Sequence, residues 1–254
     1  MTTGRWRHML IRPVIGPVTG AITGLAGISL AVMLGLALSA GQLPPAAAMA
    51  DETAAIKIVP GIYHATGQTP AGKTYDGDVD IQPLGKVLAV LWRLGTGDGY
   101  KGIGLESGSV FGVAYGIDKP FGLVVYHVTE GHLDGRWSLA VENGASIGRE
   151  VLDGPAGLDG VYKIARGDNP NGTSYTGTVE IKPNGKTYAL RWFTPDPAEI
   201  GTGILVNQTL VVAYGRDPGF GVVAYHREGQ QLRGLWAATL AKEVGSEDLT
   251  PQSP

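Results

Sequence analysis

The heptapeptide Phe-Gly-Leu-Val-Val-Tyr-His at 121–127 returns as Phe-Gly-Val-Val-Ala-Tyr-His at 220–226, about 99 residues later. The match extends well beyond these seven positions. Tyr75, Gly77, Val79, Ile81, Pro83, Gly85, Lys86, Ala89 and Trp92 reappear as Tyr175, Gly177, Val179, Ile181, Pro183, Gly185, Lys186, Ala189 and Trp192. Leu-Asp-Gly-Arg-Trp at 133–137 becomes Leu-Arg-Gly-Leu-Trp at 232–236, and Arg-Glu-Val-Leu around Glu150 becomes Ser-Glu-Asp-Leu around Glu247. A unit of roughly 90 residues is therefore written twice. Two domain-sized copies are too few for an open solenoid, so the chain is expected to build two related bodies or two halves of one sheet system.

Each copy reads as short strands. Tyr75, Gly77, Val79 and Ile81 fall on one face, and Asp76, Asp78 and Asp80 fall on the other. That period of two marks a half-buried antiparallel strand. The second copy keeps the inner set and changes the outer one to Thr176, Thr178 and Glu180, as a packing constraint dictates. Leu88, Val90 and Trp92 share a face of the next strand, matched by Tyr188, Leu190 and Trp192. Asn184-Gly185 suits a type I′ hairpin turn. Links such as Gly-Ile-Asp-Lys-Pro at 116–120 are short, which favours an antiparallel meander. No segment after residue 51 has a sustained helical period. The expected class is all-β: two tandem meanders of about eight strands each, closing as small barrels that leave no free edge. A sandwich or curled open sheet is the alternative. The 40 glycines fit this reading, because a missing side chain beside a large aromatic leaves room for the ring.

Residues 1–50 are of another kind. Arg5, Arg7 and Arg12 precede an apolar run from about Ala21 to Leu38, and Ala48-Met49-Ala50 offers small residues before Asp51. Charge, apolar core and small-residue site in that order predict a signal peptide cleaved at Ala50–Asp51. An uncleaved anchor is the competing reading, and the only route to a membrane. The expected units are then 1–50 as signal peptide, 51–153 as the first β-unit and 154–254 as the second, in the periplasm or outside a bacterial cell. Losing three arginines and no acid takes the net charge from −3 to −6, which argues against nucleic acid as a partner. The absence of cysteine excludes disulfides, thiol catalysis and Fe–S clusters.

Candidate site residues come from the repeated positions. His127 and His226 correspond, as do Asp118 and Asp217, and Tyr126 and Tyr225. These six are the expected ligand contacts. A strand-end histidine also serves as a local hydrogen-bonding group, and a turn aspartate commonly bonds its own backbone. A surface shared between the two copies would equally retain both histidines. No metal and no cofactor is expected, because neither histidine has a second ligand at metal spacing on its strand. No nucleophile elbow is present, and the Gly-rich stretch at 95–104 leads to a strand rather than the helix a phosphate loop needs. Arg166-Gly167-Asp168 spells an integrin-type tripeptide, but the first copy lacks it.

The pattern Tyr-x-Gly-x-Val-x-Ile-x-Pro-x-Gly, followed by Val-Ala-Tyr-Gly and Leu-x-Gly-x-Trp, resembles a family of exported bacterial β-proteins. Its members are mostly uncharacterised, and some are labelled fibronectin-binding proteins. Both copies carry the pattern, and Gly160–Pro251 matches more closely. The resemblance implies an exported β-rich module, with matrix binding as an inherited label. Two functions are in contention. One is a non-enzymatic binding or structural module of the cell envelope with an unknown envelope or extracellular ligand. The other is a hydrolase or isomerase for a small ligand in a barrel mouth. The barrel interior discriminates them: filled by aromatics, or hollow with convergent polar groups.

Overall fold

The computed structural model describes residues 55–95, 98–140 and 146–252. The segment read as a signal peptide, with its cleavage point, lies outside them. The described residues hold sixteen strands. The first copy supplies β1 (Gly61–Gln68), β2 (Thr74–Leu84), β3 (Val87–Leu94), β4 (Asp98–Ser107), β5 (Val110–Gly116), β6 (Gly122–Thr129), β7 (His132–Leu139) and β8 (Gly148–Asp153). The second supplies β9 (Gly160–Asp168), β10 (Thr178–Asn184), β11 (Thr187–Phe193), β12 (Glu199–Val206), β13 (Thr209–Gly215), β14 (Phe220–Glu228), β15 (Gln231–Ala238) and β16 (Gly245–Pro251).

All pairings are antiparallel, and the strands close into two barrels of eight. The inner faces are those expected. Val79, Ile81, Val90 and Trp92 enter one core, and Val179, Ile181, Leu190 and Trp192 the other. One expected turn differs. Asn184 pairs with Thr187, so Gly185 and Lys186 form the loop, and of these only Gly185 has positive φ, at 67°. A glycine alone in that conformation at the first loop position fits a type II′ turn rather than type I′.

The partition between barrels also differs from the expectation that each copy closes on itself. One barrel runs β1–β5 and then continues with β14–β16 from the second copy. The other consists of β6–β13, the last three strands of the first copy followed by the first five of the second. The second is contiguous in sequence and sits within the first, so we call them the inserted barrel and the split barrel. The boundary at 153/154 thus separates sequence copies and falls inside the inserted barrel. The physical reason lies in the repeat itself. β6 and β14 carry nearly the same residues, so the ladder that β5 forms with β14 is one that β6 could equally supply. It pairs with β14, Val113 opposite Val223, while β13 pairs with β6, Val212 opposite Val124. The 116–120 link is accordingly a crossover between barrels and not a hairpin. It meets its counterpart through Ile117 N–H donating to Gly219 O at 3.2 Å.

The exchange is held by a third apolar core between the barrels. Leu123 and Val125 of β6 and Val211 and Ala213 of β13 pack there with Val110, Ala114, Val222 and Ala224 of the split barrel. A side chain at Gly112 would stand 2.8 Å from methyls of Val125 and Val211, so its absence lets the two walls touch. Burying a valine of this kind stabilises by about 1.5–3 kcal/mol.

Candidate functional site

At one end of each barrel a glutamate points inward. β8 alternates so that Gly148, Glu150 and Leu152 share the inner face, and β16 does the same with Gly245, Glu247 and Leu249. Glu150 is 2% exposed and Glu247 3%. Each carboxylate accepts three hydrogen bonds. Glu150 Oε1 receives the Tyr126 hydroxyl and the Trp192 indole N–H, the latter at 3.1 Å, and Oε2 receives Tyr175 at 3.0 Å. Glu247 Oε1 receives Tyr225 and Trp92, the indole at 2.9 Å, and Oε2 receives Tyr75 at 3.0 Å. Because of the strand exchange, both clusters draw on both sequence copies.

Burial pushes the carboxyl of Glu150 and of Glu247 above its ordinary range, while the three donated hydrogen bonds oppose that shift. The phenols of Tyr126 and Tyr225 are raised well above theirs by burial and by the adjacent carboxylate. They donate and stay neutral. Each cluster is walled by aromatics. Trp137 meets Tyr175 edge-on at 6.3 Å, and Trp236 meets Tyr75 at 6.4 Å. The repeated glycines make the room: Gly122 lies under the Tyr214 ring and Gly221 under Tyr115.

Above this shared floor the barrels part. The inserted barrel has a cavity of about 210 Å³ that reaches down to Glu150, Trp192 and Tyr175. Asp196, Glu199 and Arg216 supply charge near its mouth. In the split barrel, strand pairing places Tyr100 opposite Trp92, where Glu199 stands opposite Trp192. The Tyr100 ring lies edge-on against Tyr115 at 5.6 Å. Ile117 takes the position of Arg216. Glu199 is raised above the usual carboxylate range, first by burial and further by the charges of Asp196 and Glu150, with Arg216 opposing. No salt bridge joins Glu199 to Arg216 among the described residues.

The six residues expected to form a site do not converge. Tyr126 and Tyr225 occupy separate barrel cores, each on its glutamate. His127 is exposed and follows Leu123 and Val125 on the face turned toward the other barrel. His226 is half-buried and follows Val222 and Ala224 on the same kind of face. Asp118 and Asp217 lie exposed in the two crossovers, and Asp217 pairs with Lys119 at 3.5 Å. Among the described residues no group of three His, Asp or Glu is placed to hold a metal ion. Arg166-Gly167-Asp168 ends β9 with Gly167 buried and Arg166 bonded to Asp168 at 2.5 Å, so both charges are turned on each other. Glu150 and Glu247 are not among the residues expected from the sequence, although acids alternating with Gly and Leu at matched positions mark them. No family model, no curated protein and no solved structure matches the chain.

Proposed function

We propose that the protein is an exported, non-enzymatic binding module of the bacterial envelope, and that its ligand site is the mouth of the inserted barrel. The observation that carries this is the difference between two copies of one design. The floor is repeated in both barrels, while the mouth of one holds Tyr100 and the other Glu199 and Arg216 over a cavity. Packing accounts for what both barrels share. It does not account for Glu199 and Arg216 where the other barrel has Tyr100 and Ile117. At about 210 Å³ the cavity is below the ~300–1,000 Å³ of sites for drug-sized molecules. The ligand, or the part of it that enters, is therefore small. Export rests on the charge, apolar run and Ala-Met-Ala order of residues 1–50.

A catalytic reading would use Glu150 as a proton donor with a raised pKa. Glu247 repeats its burial and its three partners in the split barrel, where the mouth lacks Glu199 and Arg216, so structural satisfaction explains the cluster in both places. A fragment screen by NMR on the full chain tests the binding reading, with Glu199→Tyr as control. Ligands should bind the wild-type protein and be lost from the variant. A screen in which no ligand distinguishes the two proteins would overturn the assignment.

A further inference from the structure

We propose that the mouth of the inserted barrel takes a small organic cation, an alkylammonium group with a compact apolar body. The inference deepens the binding reading above and rests on it. Its first support is the wall. Trp137, Tyr175, Trp192 and Tyr214 line the cavity, and Trp192 and Tyr214 meet at 5.5 Å with their planes inclined by 43°. Rings set at an angle to one another present electron-rich faces to a shared volume, and a cation within about 6 Å of such faces is attracted by their quadrupoles. Trp is the strongest of the aromatic side chains in this role, and two are present.

The second support is the charge of the lining. Among the described residues that line the cavity, Asp196 and Glu199 stand near the mouth and Glu150 at the floor, against one cation, Arg216. An excess of carboxylate in a partly desolvated cavity favours a positive occupant and disfavours an anion. The raised carboxyl of Glu199 is consistent with this, since a bound cation would relieve the burial and like-charge repulsion that raise it. The third support comes from the duplicate. In the split barrel the position of Glu199 is filled by the uncharged ring of Tyr100, so at that position the aromatic wall continues without a carboxylate. A compact quaternary ammonium suits the small volume better than an extended amine, because it needs no hydrogen-bond acceptors around the nitrogen and fills space evenly.

The test uses the full-length exported chain and two probes of matched shape. Choline carries the quaternary nitrogen, and 3,3-dimethylbutan-1-ol is its neutral carbon isostere. Calorimetry should give one choline per chain, bound at least tenfold more tightly than the isostere, and Glu199→Gln should weaken choline at least tenfold while leaving the isostere within about twofold. Thermal unfolding and near-ultraviolet circular dichroism of Glu199→Gln report whether it is folded. If it is not, the choline-to-isostere ratio on the wild-type protein decides alone. Equal or tighter binding of the isostere overturns the cation and leaves the binding site standing. Failure of both probes at millimolar concentration also overturns the cation, and the fragment screen then says separately whether the mouth binds anything. Choline bound as well by Glu199→Gln and by Glu199→Tyr as by the wild-type protein would place it elsewhere and overturn the proposal.

Discussion

At the Glu247 end of the split barrel, Trp92, Tyr115 and Tyr100 stack in sequence, ring edge against ring face, over a buried carboxylate. At the Glu150 end of the inserted barrel the first two members of that series are present as Trp192 and Tyr214, and the third is a glutamate. Both floors satisfy the same polar groups with the same partners. The mouths differ. A single protein thus carries its own control: what is common to both barrels belongs to folding, and what is particular to one is free to serve binding. The comparison separates the buried polar groups that both barrels repeat from the half-buried Glu199 and exposed Arg216 at one mouth.

The strongest way to break the comparison is to separate the barrels. Residues 120–218 enclose β6–β13, so that fragment should fold cooperatively as a monomer, less stable than the whole because the inter-barrel core is exposed. Residues 51–153, one complete sequence copy, should form a barrel only by exchanging β6–β8 with a second copy, and should sediment as a dimer. A folded monomer of 51–153 would show that the 116–120 link turns back on itself. Next in size is the shared floor. Glu150→Ala and Glu247→Ala each strand three donors, and each should cost about 3 kcal/mol or more by urea denaturation. A large cost in one barrel with a negligible cost in the other would end the claim that the floors are equivalent.

A smaller effect is set by pH. Glu150, Glu247 and Glu199 all have carboxyls raised above the ordinary 4.5 in the folded protein. The folded state then holds these protons more tightly than the unfolded chain. Their contribution to stability is complete below pH 4.5 and is lost as pH rises through each raised value. The unfolding free energy from urea denaturation should fall on going from pH 4.5 towards neutrality, by at most about 1.4 kcal/mol per pH unit for each group while it titrates. Glu150→Gln with Glu247→Gln should flatten that decline and leave the share of Glu199. An unfolding free energy that rises over the same range would contradict the sign. Least of all should be the effect of His127→Gln. The residue is exposed at a strand end, and its loss should move stability by no more than about 0.5 kcal/mol, measured in the same titration.

Strand positions and inward faces were legible in the sequence, because alternation writes them directly. Val79 and Ile81 are 0% exposed, as the repeated inner set required. Barrel membership was not legible. Hydrogen-bond ladders and side-chain alternation specify which kind of strand β5 accepts, and Gly122–His127 and Gly221–His226 answer that description equally. The choice depends on the third core, where Gly112 faces Val125 and Val211 across the two walls, and no local pattern reports such a contact. The site was half legible. Tyr126 and Tyr225 were chosen for their repetition, yet repetition selects what both barrels need. The mouth is marked by the opposite signal, a position where the copies disagree: Tyr100 against Glu199, Ile117 against Arg216.

The nesting of one barrel inside the other also orders events in time. During synthesis β1–β5 emerge first, well before β14–β16, the strands that close their barrel in the finished fold. At 5–20 residues per second, the roughly 135 residues from Gly116 to Pro251 take on the order of ten seconds. Throughout that interval β1 and β5 lack their final neighbours, and open edges recruit other strands, for β5 the near-copy β6 among them. β6–β13 can meanwhile close without waiting for anything downstream. The inserted barrel is then the template on which the split barrel is completed, with β6 and β13 presenting a finished apolar wall to the strands that arrive on either side. A chain stalled or cleaved after β13 would keep a closed barrel and carry five adhesive strands beside it. In a crowded cell, the hazard of this architecture therefore falls on the half that lacks the candidate site.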